Sequence, residues 1–319
     1  MKRKKILDQL REEIRRRNYS YSTEKLYCQW IVRYVRFHSM KHPTELNESH
    51  VVGFLNDLAN KQNVAASTQN QALSAIVFLY KNILNKPLND LDNLKRAKRY
   101  IHLPVVLTGQ EARTILNNMD GGATLVVKLL YGSGLRITEA LRLRVMDVDF
   151  GYNQIVVRNG KGLRDRVTML PESVIAELKI HIQKVKRLHQ YDIHNGMGAT
   201  ILPKALAKKY PNAAKEFKWQ YLFPSTKRSA DPRTGITHRY HVSAREIRRA
   251  IKYSVNKSNI DKHVTPHTFR YSFATHLLKN GYDIRTVQEL LCHKSVKTTM
   301  IYTHVLNKGG KGVKSPLDQ

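Results

Sequence analysis

Acidic residues are the first shortage. The chain has 319 residues, with 55 Lys and Arg against 25 Asp and Glu, a formal net charge of +30. Such an excess points to a polyanionic partner, nucleic acid before membrane. Cysteine is scarce as well: Cys28 and Cys292 are the only two, and they lie far apart. They suggest neither a disulfide framework nor a paired-Cys metal spacing, and the expectation is a cytoplasmic protein. No apolar run approaches the length of a membrane span; ATLVVKLLYGSGL is short and interrupted by Lys128. The basic start, MKRKKILDQL, lacks the apolar stretch of a signal peptide. No Walker-type loop is present. What remains is a chain longer than one hydrophobic core usually serves, so two domains are expected.

Residues 1–90 read as helices. Ile6, Leu7, Leu10 and Ile14 recur at helical spacing in a charged background, and Leu26, Trp30, Ile31, Tyr34 and Val35 form the apolar face of a second helix. Ser22 or Thr23 can cap that second helix, and Asn47 or Ser49 the third. A fourth spans residues 66–84. Their basic outer faces could lie across a duplex, with Lys and Arg on phosphates. Residues 91–104 are a charged linker. Thr108-Gly-Gln-Glu111 is a capping box, and the second domain is placed from residue 105 onward.

In the second domain, LLYGSGLRITEAL carries Gly132 and Gly134 as breakers, then Arg136 at a helix start with Glu139 one turn on. By itself that is a surface ion pair, which is worth little. Residues 154–158 and 166–170 read as two strands around NGKGLRD, with Lys161 at a Gly-flanked tip. Pro171 begins a long helix. Residues 190–242 then form an unusually long segment with a short helix at 202–210, the stretch EFKWQYLFPS and a Pro- and basic-rich loop. A loop of this length inside a compact domain is usually functional. Ser243 to Glu246 is a second capping box, opening a strongly basic helix.

The rest is organised around residues 265–304. Pro266 suits the first position of a helix. His267 and Arg270 follow three residues apart, on one face. Gly281 fits the stop, Asp283 caps a helix at 284–291, His293 falls just past its end, and Ser295 opens a short helix carrying Tyr302. Two imidazoles, a guanidinium and a phenol beside a helix N-terminus suit the oxygens of a phosphodiester. A zinc site is the competing chemistry, from His267, His276, His293 and His304. His267 and His276 are half a turn out of phase on one helix and do not converge.

HTFRYSFATHLL, LLCH and IYTHV together resemble the catalytic core of the tyrosine recombinase (phage-type integrase) family. The family pattern is His-x-x-Arg, a later Leu-Gly-His, and a Tyr nine residues on. Here those positions are His267 and Arg270, then His293, then Tyr302. Cys292 stands where the family has Gly; if the backbone there is left-handed, Cys costs about 1 kcal/mol. YGSGLRxxEAL is similar to the family's first arginine motif, which makes Arg136 a second phosphate clamp and Glu139 an orienting residue. The GKG hairpin implies Lys161 as the catalytic lysine, with Arg164 as the loop's usual second basic residue. Residues 1–90 resemble the core-binding domain of the family. The 190–242 insert, with KYPNA and a Trp before YLFPS, resembles integron integrases in particular.

The resemblance implies a mostly α fold with a small β component: a helical SAM-like core-binding domain, then a mixed α/β catalytic domain over 105–319 with an exchange tail at 305–319. It implies transesterification without metal, ATP or other cofactor. Tyr302 is the nucleophile, and Arg136, Arg270 and His293 hold the phosphate. His267 is the general base and Lys161 the general acid. The implied partners are duplex attI-type DNA, folded single-stranded attC-type DNA and three further copies of the chain on two sites. Trp219, Pro232 and His241 would sandwich a base outside the hairpin stem; alone, Trp219 reads equally as a core residue. The alternatives are a duplex-specific phage-type or chromosome-dimer-resolving recombinase, a type IB topoisomerase, and a non-catalytic DNA-binding relative.

Overall fold

The computed structural model describes residues 5–88, 103–158, 165–202, 204–293, 295–302 and 317. Lys161, Arg164, His304, most of the linker and nearly all of the tail lie outside these. The chain separates into two compact units, Met1–His102 and Leu103–Gln319. It is mostly helical with a small β component.

The first unit is built from four helices: α1 (Ile6–Arg16), α2 (Tyr21–Phe37), α3 (Glu48–Asn60) and α4 (Ala66–Asn82). Each turns an apolar stripe inward; Leu10, Ile14, Ile31, Tyr34, Phe54, Leu58, Ile76 and Leu79 are among its buried residues. Ser20, not Ser22 or Thr23, caps α2, accepting the Thr23 N–H at 3.1 Å. Asn47 caps α3. Tyr34 and Tyr80 are buried together, their hydroxyls 3.1 Å apart, and Tyr80 donates to the Pro43 carbonyl at 2.9 Å.

The second unit begins with α5 (Gly109–Asn117), capped by the Thr108–Glu111 box, then α6 (Gly122–Gly132) and α7 (Ile137–Arg142). Gly134 sits between α6 and α7 at φ +61°, and a Cβ there would lie 2.5 Å from the Phe273 ring. Only glycine meets both demands. A three-stranded antiparallel sheet follows in the order β1 (Val148–Asp149), β2 (Gln154–Val157), β3 (Arg166–Met169). The strand β1 is too short to show a period-2 pattern in the sequence.

Beyond Pro171 a single 3-10 turn (Glu172–Val174) precedes the long helix α8 (Ile175–His194). The insert contributes α9 (Lys204–Lys209) and a hairpin of two-residue strands, β4 (Ser229–Ala230) and β5 (Thr237–His238). Its segment 220–225 makes isolated antiparallel bridges to two neighbours, Tyr221 with Arg144 and Pro224 with His241. Leu222 N–H donates to Leu143 O at 2.8 Å on one side, and Val242 N–H to Phe223 O at 2.8 Å on the other. The closing helices are α10 (Ala244–Lys257), α11 (Pro266–Lys279), α12 (Ile284–Leu291) and α13 (Val296–Met300). The helix α11 is buried along Phe269, Ser272, Phe273 and Ala274 and packs on α6. Gly281 at φ +88° ends it, and Asp283 caps α12 through the N–H groups of Arg285 and Thr286. Tyr302 lies in the turn after α13 rather than on a helix.

Candidate active site

The site is built on one carboxylate. Glu139 is 8% exposed. Arg136 is the N-cap residue of α7, so its N–H has no helical partner. Glu139, three residues on, accepts that N–H at 2.8 Å and the Arg136 guanidinium at 2.6 Å. The same carboxylate accepts from Arg166 at 2.7 Å and lies 3.8 Å from Arg270. Burial alone would raise the Glu139 pKa. The Arg166 hydrogen bond and charge, followed by the Arg136 contacts, outweigh it and bring the group down to about 2. The bland reading of Arg136 and Glu139 as a surface pair is therefore corrected: this is a buried hub joining three guanidiniums.

Arg270 is 2% exposed. It donates to the carbonyl of Gly134 and, at 2.6 Å, to that of Leu291. Arg166 donates to the neighbouring carbonyl, Leu290, at 3.0 Å. Two guanidiniums thus satisfy the free carbonyls at the C-terminus of α12, where cations are favoured. Burial first, then repulsion from Arg136, pushes Arg270 down to about 10. Three cations around one anion leave the pocket with an excess of positive charge. A further Arg166 nitrogen, Nη1, is buried without a hydrogen-bond partner among the described residues.

Cys292 follows α12 at φ +50°, ψ +55°, in the left-handed region, where a side chain carries a cost that glycine does not. This conformation turns His293 back toward Arg270. His293 Nε2 lies 3.4 Å from Arg270 Nη2, and its Nδ1 lies 3.0 Å from Thr299 Oγ1. A guanidinium nitrogen only donates, so Nε2 is the acceptor and the ring proton sits on Nδ1. The His293 ring stacks on Tyr302 at 6.0 Å between centroids. Tyr302 is 2% exposed; burial pushes its pKa up to about 12, with Arg270 and Arg136 opposing. Tyr271 lies tilted 5.6 Å from Tyr302, and His267 stacks on Tyr271 at 6.1 Å. Burial, then Arg270 and Arg136, lower the His267 pKa below 6.5, so its ring is neutral at pH 7.

The structure therefore gathers Arg136, His267, Arg270, His293 and Tyr302 around Glu139. Arg166 was missed by sequence reasoning. The strand RVTML carries Val167 and Met169, which by composition should face the core. They are 50% and 37% exposed, and Arg166 and Thr168 point inward instead. An Arg opening a strand just after a Gly-flanked hairpin was the available signal. Among the described residues no three His, Cys, Asp or Glu side chains group as a metal site would need.

The insert forms a second feature. Arg144 reaches into it, donating to the carbonyls of Trp219 and, at 2.8 Å, Ile201, while lying 4.6 Å over the Tyr221 ring. A cavity of about 390 Å³ opens beside it, lined by Arg142, Arg144, Arg158, Trp219, Tyr221 and Tyr240 among others. Trp219 is half-buried, so neither a core nor a free residue. Pro232 is exposed at the tip of the β4–β5 hairpin, next to Asp231, which also lines the cavity. Asp231 shapes that tip by accepting the N–H groups of Arg233 and Thr234. His241 stands outside the cavity lining. Its ring lies tilted against Tyr240 at 4.1 Å between centroids, and burial lowers its pKa.

Comparison with known proteins gives concordant matches. The model for the phage integrase family matches residues 105–308, and that for the phage integrase N-terminal SAM-like domain matches residues 6–90. An integrase/recombinase of Escherichia coli is 46% identical over 98% of this chain and 93% of its own length, as is one of Pseudomonas aeruginosa. The tyrosine recombinase XerA of Pyrococcus furiosus is 31% identical over 70% of this chain and 65% of its own. The solved XerH site-specific recombinase bound to difH substrate shares the fold, with TM-score 0.60 at 19% identity over 94% of this chain and 82% of that one.

Proposed function

The chain belongs to the phage integrase family as a tyrosine site-specific recombinase, and from that premise we propose that Tyr302 cuts DNA by attack on a phosphodiester. The Tyr302 Oη–P bond forms and the P–O5′ bond breaks, leaving a 3′-phosphotyrosyl link and a free 5′-hydroxyl. The phenol proton passes to neutral His267, and Lys161 protonates the leaving oxygen. Arg136 and Arg270 hold the phosphate oxygens and offset the charge that develops on them, and His293 donates to one of them once its Nε2 carries a proton. Attack by the 5′-hydroxyl of a second strand reverses the chemistry and exchanges the strands. The observation that carries this reading is the excess of buried positive charge at Glu139, placed beside the stacked His293–Tyr302 pair.

The substrates are integron sites: duplex attI and the folded single strand of attC, joined by four protomers on two sites in the cytoplasm, so that gene cassettes are integrated and excised. The insert supports this reading. Its cavity offers π-faces and guanidiniums together, which suits a base splayed from a folded strand. Trp219 on the cavity wall is assigned to such a base, together with Pro232 and His241, which stand outside the lining. The likeness to XerA supports a second reading, a duplex-specific resolving recombinase.

Covalent trapping separates the two. Each strand of an attC-type hairpin and the matching perfect duplex, nicked just past the scissile phosphate, is incubated with the protein and with Tyr302→Phe. The proposal expects an adduct on one folded strand, weak on duplex and absent with the mutant. An adduct on duplex alone keeps Tyr302 as nucleophile and removes the hairpin role. Binding without an adduct on either removes the enzymatic reading of the site.

A further inference from the structure

The β4–β5 hairpin has strands of two residues each, and Ser229, Ala230 and Thr237 are exposed on it. A hairpin this short does not hold its own orientation. Its root does. Asp192 stands in the last turn of α8, where the helix dipole disfavours an acid, and is only 3% exposed. It is held there by the insert: Arg239 forks onto both carboxylate oxygens, at 2.5 and 2.8 Å. The remaining Arg239 nitrogen donates to the carbonyls of Ser225 at 2.8 Å and Thr226 at 2.7 Å, across the hairpin's base. Ser225 N–H closes the same base on Tyr240 O at 2.7 Å. Arg228, on the opposite strand's approach, lies 3.8 Å from Asp192. One carboxylate in the last turn of α8 therefore draws in guanidiniums from both ends of the hairpin.

We propose that Asp192 is a positioning residue for specificity: through Arg239 it sets the angle at which the hairpin presents Pro232 and Asp231 beside Trp219, and so decides whether a folded strand is accepted. It touches no substrate. The inference rests on the reading of the insert given above, and it places the determinant outside the aromatic cavity, at the back of the hairpin. An Arg–carboxylate fork fixes direction as well as distance, which a lysine in place of Arg239 would not.

The test compares Asp192→Asn and Arg239→Lys with the parent in the two-substrate trapping assay, with Trp219→Ala alongside, and measures hydrogen exchange over residues 225–240. Both latch variants should speed exchange across the hairpin and lower the folded-strand to duplex adduct ratio by about tenfold, while duplex trapping stays within about twofold. Unchanged exchange overturns the latch. So does faster exchange with an unchanged ratio when Trp219→Ala lowers it, and so does an equal loss on both substrates, which marks a merely structural role. An unchanged ratio in Trp219→Ala as well strikes at the reading of the insert and removes the inference with it.

Discussion

The arginine hub and the insert solve opposite problems with the same residue. In the hub, Arg136, Arg166 and Arg270 converge on Glu139 from α7, β3 and α11, and two of them also hold the end of α12. Arg166 and Arg270 each have several partners there, so their geometry is over-determined. In the insert, Arg144 donates to backbone carbonyls of a segment with little regular structure, and Arg239 divides its donors between two such carbonyls and Asp192. There arginine replaces the missing sheet. Buried charge organises a rigid cradle in one region and supports a loop in the other.

Removing a cation from the hub should have the largest effect. Arg270→Ala leaves Glu139 paired with Arg136 and Arg166 but frees the buried carbonyls of Gly134 and Leu291, so stability should fall by about 1–3 kcal/mol. Cleavage by the folded fraction should drop by about 10²–10³-fold. Urea unfolding and single-turnover trapping read the two losses; a mild effect on both would place the hub nearer the insert in character. Glu139→Gln comes next. The Glu139 pKa is depressed from 4.5 to about 2, so its contribution is present above pH 4.5 and is lost as pH falls toward 2. It amounts to roughly 3 kcal/mol. The parent should lose stability through that window, and the variant should show a correspondingly shallower acid transition.

His267→Ala tests the cradle's chemistry through pH. The neutral ring should let the parent's cleavage rate level off above an inflection below pH 6.5. Without it the phenol, raised to about 12, must ionise unaided, and the rate should climb about tenfold per pH unit through pH 7–9. A variant that keeps the plateau would remove His267 as base. In the insert, Trp219→Ala should weaken folded-strand binding by about 1–3 kcal/mol, one stacked base. Its thermal midpoint should stay near the parent's, the mark of a surface rather than a hub. Cys292→Gly should have the smallest effect, about 1 kcal/mol of added stability from relief of the left-handed cost, with trapping retained. A destabilised variant would show that the Cys292 side chain contributes more than its backbone costs.

Local signals in the sequence gave most of the frame. Caps at Thr108, Ser243 and Asp283, Gly281 as a stop, and the bounds of α12 follow from rules spanning a few residues, and those rules act whatever the rest of the chain does. The hub was only half legible. Arg136 and Glu139 are three apart and looked like an ordinary surface pair, because their burial depends on Arg166 and Arg270, and no local rule reaches that far. The facing of β3 was illegible for the same reason: a buried carboxylate overrides the apolar preference of Val167 and Met169. The insert's hairpin has strands too short for a period to show, and its fixing point, Asp192, sits at a helix position where an acid would be read as solvent-exposed.

The two longest reaches in the hub carry one more consequence. Arg270 meets Gly134 across 136 residues of chain, and Arg166 meets Leu290 across 124. During synthesis, the cradle cannot exist until the domain's first and last thirds have met, because loops that long close late and at an entropic cost no local contact offsets. A nascent or clipped chain that has made α7 and β3 but not α12 is catalytically blank. For a site-specific DNA recombinase, competence arrives only with the whole fold.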